Sequence, residues 1–78
     1  RETLSKQQRS MINLAMISAL NRPHELALHI RGALNNGLSR EEIREILLQV
    51  AVYCGIPAGI DSFRIARQVL AEYDAEAK

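Results

Sequence analysis

His24, Glu25 and His29 fall within six positions, and both histidines of the chain are among them. On a helix Glu25 and His29, four residues apart, stand about 40° from one another. Leu26, Ile30 and Leu34 form the adjoining apolar stripe. A carboxylate and an imidazole side by side at the edge of a buried surface suit proton transfer at neutral pH. The plain alternative is a helix-surface pair with Glu25 simply sited in the first turn, and spacing alone favours it. His24 points about 100° away from Glu25 and by itself reads as a surface residue. Arg22, if helical, lies near the pair. Arg31 follows His24 by seven residues and so shares its side, where a two-point contact with a substrate carboxylate and a solvated guanidinium are equally good readings. A zinc site is not expected, because His24 and His29 are five apart and splay across the helix, unlike His-Glu-x-x-His.

Four amphipathic segments must position these groups. The first runs from Ser5 to Leu20, with Ser5 and Gln8 fitting a capping box. Met11, Leu14, Ala15 and Ser18 lie at helical spacing, widened by Ile12, Met16, Ile17, Ala19 and Leu20, so that the segment is apolar over most of its circumference. Asn21-Arg22-Pro23 breaks it, and proline suits the first turn of the next helix, Pro23 to Asn35. Asn36-Gly37 is the stop. Ser39 with Glu42 is a second capping box, opening a helix that reaches Cys54 before Gly55. Pro57 opens the fourth helix, which continues to Tyr73, and the tail Asp74–Lys78 is expected to fray. Ile46–Tyr53 has the composition of a buried strand, but the capping box and a length of about fifteen residues favour helix. Met11, Met16 and Cys54 are expected in the core, and Arg40, Glu41, Glu42, Arg44 and Glu45 on a solvated face.

Composition bounds the function. The 78 residues make one domain. Ten Lys+Arg against nine Asp+Glu give a net charge of +1, with no electrostatic footprint for nucleic acid or an anionic membrane. Three aromatic side chains, Tyr53, Phe63 and Tyr73, make no base-stacking platform. One cysteine excludes an intrachain disulfide and dithiol redox chemistry within one chain. No run approaches the ~20 apolar residues of a membrane span, and the start has no apolar signal region; the cytosol is the expected compartment. A chain this short buries only ~60–65% of its unfolded surface. With the broad apolar surface of the first and third segments, that predicts a homo-oligomer.

The stretch from His24 through Glu45, His-Glu-Leu-Ala-Leu-His-Ile-Arg-Gly-Ala-Leu-Asn-Asn-Gly-Leu-Ser-Arg-Glu-Glu-Ile-Arg-Glu, closely resembles the 4-carboxymuconolactone decarboxylase family. So does Leu48 through Arg64, Leu-Gln-Val-Ala-Val-Tyr-Cys-Gly-Ile-Pro-Ala-Gly-Ile-Asp-Ser-Phe-Arg. The likeness covers Arg1 to Glu72. It implies an all-α fold, a small bundle of about four helices of the alkyl-hydroperoxidase-D-like kind, completed by oligomerisation. Peroxidases of that superfamily carry Cys-x-x-Cys-x-x-x-His; laid on this chain the His matches His29 and the two Cys fall on Arg22 and Glu25, so the sulfurs are gone and an acid/base pair stands instead. His24 lies between the former Cys positions. Family decarboxylases also carry a helical region ahead of the position of Arg1.

The resemblance implies decarboxylation of 4-carboxymuconolactone to the 3-oxoadipate enol-lactone in protocatechuate catabolism, with a small lactone carboxylate as substrate and no metal or organic cofactor. Glu25 and His29, with His24 beside them, are the implied catalytic groups, and Arg22 or Arg31 would hold the surviving carboxylate. Two alternatives stand: an inactive helical oligomerisation module of the same fold, and a peroxidase relative lacking its cysteines.

Overall fold

Local signals set the helix ends in the computed structural model, which describes residues 3–77. Helix α1 spans Lys6–Ala19. The Ser5 hydroxyl accepts from the Gln8 amide at 3.0 Å, and the Gln8 side chain accepts from the Ser5 amide at 2.9 Å. At the other end Asn21 takes a left-handed conformation, φ 57°. This lets its amide donate to the Ser18 carbonyl and the Arg22 amide donate to that of Ile17. The paired bonds are a Schellman stop, which satisfies carbonyls the helix leaves open.

Helix α2 is Pro23–Asn35, with Pro23 in its first turn. It ends the same way: Gly37, φ 95°, donates to Leu34, and Leu38 donates to Ala33. Gly37 and not Asn36 takes the left-handed position. Leu38 is buried, supplying the apolar contact that accompanies this motif. Helix α3, Arg40–Cys54, starts with the reciprocal bonds of Ser39 and Glu42. Gly55, φ 105° and ψ 159°, turns the chain in a conformation confined to glycine.

Helix α4 runs Ile56–Ala77, four residues past the expected end at Tyr73. Tertiary contacts hold what the sequence leaves loose. Arg31 of α2 donates to Glu76 at 2.7 Å, Arg40 of α3 pairs with Asp74, and the Tyr73 hydroxyl donates to Asn35 at 3.3 Å. Arg1, Glu2 and Lys78, at the edges of the stretches read above, lie outside the described residues.

Among the described residues the four helices form an all-α bundle. Helix α1 packs on α2 and α3, α4 packs on α2 and α3, and α1 and α4 lie on the diagonal. Leu14, Leu26, Ile30, Ala33, Ile43, Leu47, Ile65 and Val69 meet at the centre, each supplied by the inward stripe of its helix. Gly59 brings α4 against α3: a Cβ there would lie 2.5 Å from the Ala51 Cβ.

Two expectations about the core are corrected: Cys54 is exposed and Met16 is 50% exposed, whereas Met11 packs against the central cluster as expected. Ile12, Leu20, Leu48, Val52, Tyr53 and Ile56 also face outward. The radius of gyration, 11.9 Å, matches the ~11.5 Å of a compact chain this long. These side chains are therefore outward on a collapsed bundle, because four helices have more apolar surface than one small core can take.

Candidate active site

Leu26, Ile30 and Ala33 face the core and fix the rotation of α2. That rotation decides where the candidate residues stand. Glu25 and His29 share a flank about 40° apart, as expected, but both are exposed. The expected partial burial at the edge of the core does not occur in the single chain. Neither side chain makes a hydrogen bond or ion pair with another described residue. A carboxylate and an imidazole thus share one helix face, with no ion pair to either among the described residues. His24 is exposed as well, on the far side of Glu25.

Arg22 is not helical. It is the N-cap of α2, φ −110° and ψ 85°, without a side-chain cap bond. The proline after it disfavours helical geometry, and the Schellman bond from its amide fixes it to the end of α1. Its side chain is exposed at the start of the helix that carries Glu25.

Arg31 is half-buried and paired. It pairs with Glu76 at 2.7 Å and Glu72 at 3.9 Å, and its guanidinium carbon lies 5.7 Å from the centre of the Tyr73 ring. Helical geometry puts it about 120° from Glu25 and 160° from His29. The structure therefore groups Glu25 and His29, sets Arg22 at their N-terminal end, and turns Arg31 to α4.

Clefts also lie elsewhere. One of about 260 Å³ opens between α3 and α4, floored by Ile43, Leu47, Phe63, Ala66 and Leu70 and rimmed by Arg40, Arg44 and Arg67. Arg40 and Arg44, expected on a solvated face, stand at its rim with Arg67, which carries no signal in the sequence by itself. The four-residue spacing of Arg40 and Arg44 on one helix was the available signal. This cleft can hold an anion, but arginine does not give up a proton in proteins; the candidate Glu25 and His29 stand on α2 instead. Among the described residues no three His, Cys, Asp or Glu side chains come together as a metal set.

Residues 1–68 match the carboxymuconolactone decarboxylase family. The chain belongs to that family. It is 41% identical over 70 residues to a nitrosuccinic acid decarboxylase of Metarhizium robertsii, covering 90% of this chain and 49% of the relative. It is 35% identical over 69 residues to a 4-carboxymuconolactone decarboxylase of Acinetobacter baylyi, covering 88% and 52%. An uncharacterised 15.0 kDa protein of Paracoccus denitrificans is 34% identical over 79 residues, covering 97% and 58%. The chain thus spans about half the length of the curated relatives it matches. Two of them are named as decarboxylases with different substrates.

Proposed function

We propose that this carboxymuconolactone decarboxylase family chain is a decarboxylase that needs no cofactor, and that its substrate is 4-carboxymuconolactone. The observation that carries the reading is the unpartnered Glu25–His29 pair on one face of α2, within a family that includes named decarboxylases.

The lactone supplies its own electron sink. The bond from ring carbon to carboxylate breaks and CO2 leaves. The electron pair moves through the ring double bond onto the lactone carbonyl oxygen. A proton then adds to the ring carbon next to that carbonyl, giving the enol-lactone. The protein must hold the departing carboxylate in weakly polar surroundings, stabilise the dienolate oxygen and deliver the proton. Glu25 and His29 supply the proton and the oxyanion contact between them, His24 flanks Glu25 on the side away from His29, and Arg22, at the start of the helix, holds the carboxylate of the remaining carboxymethyl group. Arg31, the other candidate for that carboxylate, would have to leave Glu76 first.

The nitrosuccinic acid relative supports a second substrate class for the same chemistry. Nitrosuccinate is also a dicarboxylate with a built-in sink, since its nitro group sits on the carbon that would lose CO2. Both readings use one acid/base pair and no metal.

An exposed pair is surrounded by water, whereas decarboxylation gains from its exclusion. The outward apolar side chains of α1 and α3 support a homo-oligomer. A decarboxylation assay following loss of lactone absorbance tests the reading. Release of CO2 from 4-carboxymuconolactone, unchanged by EDTA, is expected. A folded oligomer that turns over neither this lactone nor nitrosuccinate would be the inactive helical module.

A further inference from the structure

Glycine inside a helix costs stability relative to alanine, because it orders more backbone and packs no side chain. Three of the four glycines have a reason within the chain. Gly37 and Gly55 hold positive φ, and Gly59 makes room for Ala51. Gly32 has none. It lies in the middle of α2 with helical geometry, and a Cβ added there meets nothing within 4 Å.

Its place on the helix is specific. Gly32 stands one turn after His29 and four residues after Leu28, about 60° and 40° around the axis, and within about 20° of Glu25 two turns earlier. Side chains lean toward the N-terminus of their helix, so the surface that residue 32 leaves bare is the patch beside His29 and Leu28. Leu28 is itself 59% exposed. One strip of α2 therefore combines a carboxylate and an imidazole without partners, an outward leucine, and bare backbone.

We infer that Gly32 is a specificity-determining residue, which keeps the backbone beside His29 clear so that the flat ring of the carboxylate substrate lies against it, with Leu28 on its apolar side. This rests on the decarboxylase reading for the choice of ligand. The substrate class it selects is a planar five-membered ring carrying carboxylates, whose reacting carbon comes within reach of the His29 imidazole. A methyl group at position 32 lifts the ring away.

The test is Gly32→Ala. Alanine is the better helix former and meets no neighbour, so the melting temperature rises, by ~4–8 °C for a domain this small. KM for the lactone rises by ~10–200-fold, the range for one extra carbon in a fitted site, while kcat falls much less. A structural role would move stability and activity in the same direction. Binding is read separately by amide NMR, with furan-2-carboxylate as probe, since its five-membered ring is planar and has no lactone carbonyl to accept the electrons. Saturable shifts at the Gly32 and His29 amides in the wild-type chain, lost in Gly32→Ala, support the inference even where the wild type turns nothing over; in that case the decarboxylase reading fails and the ring site stands. The inference is overturned if the wild type shows no saturable shift at Gly32. It is overturned equally if Gly32→Ala keeps KM within twofold, or if the variant loses only self-association, which would assign the bare patch to a second copy.

Discussion

Glu25 and His29 hold no contact on which folding depends, so substitutions there should separate chemistry from stability. Glu25→Gln and His29→Asn are expected to lower turnover by ~10²–10⁴-fold, the range for a positioned acid or base. Melting curves should not move, since both side chains are exposed and make no hydrogen bond or ion pair among the described residues. The double variant should lose far less than the product of the two effects, because groups acting as one unit are not additive. Arg31 behaves in the opposite way. Arg31→Ala removes its bonds to Glu72 and Glu76 and its stacking on Tyr73. Surface ion pairs contribute only ~0–1 kcal/mol, so global stability should change little. Amide exchange of residues 74–76 should quicken, while KM stays near normal. A tenfold rise in KM for Arg31→Ala without faster exchange would return Arg31 to the substrate. The four-residue spacing of Glu25 and His29 made their shared face legible in the sequence. Its exposure was not legible, because burial depends on which side of Leu26 and Ile30 the neighbouring helices pack.

Helix starts were readable because capping chemistry is local: Ser5 with Gln8 and Ser39 with Glu42 form the reciprocal bonds their types allow. Pro23 and the glycines at 37 and 55 were readable for the same reason. The end of α4 was not, since Asp74–Ala77 is held by residues from α2 and α3 that are tens of positions away in the chain. The close approach of α3 and α4 was equally hidden, as Gly59 looks like any helical glycine until Ala51 is placed beside it. Gly59→Ala is expected to cost ~1–3 kcal/mol by overpacking, despite its better helix propensity, and adding Ala51→Gly should recover part of the loss in denaturant titrations. Ser18 gives a change of the other sign. Its hydroxyl is buried without a partner, so Ser18→Ala should raise the unfolding midpoint, corresponding to about 1 kcal/mol or more. A lower midpoint would mean that the hydroxyl is bonded in solution.

The bundle closes around one core and still turns Ile12, Met16 and Leu20 outward on α1, and Val52, Tyr53 and Ile56 outward where α3 meets α4. Between them lies a hollow walled by Ala15, Met16, Ala19, Val50, Tyr53 and Cys54. This outward apolar surface is the basis of the oligomer proposal, because a chain of 8.7 kDa would gain stability by covering it. Sedimentation at micromolar concentration should show a multiple of the chain mass, reduced by Met16→Glu; a folded monomer would end the oligomer proposal. The apolar breadth behind this was visible in the sequence, though the sides of α1 and α3 left uncovered required the fold. The central claim is that Glu25, beside His29 on α2, takes part directly in cofactor-free decarboxylation. The most direct measurement is the rate of 4-carboxymuconolactone decarboxylation by the wild type and by Glu25→Gln, in EDTA, at matched helicity and oligomer size. The account predicts turnover by the wild type and a ~10²–10⁴-fold loss in the variant. Near-normal turnover by Glu25→Gln would contradict it.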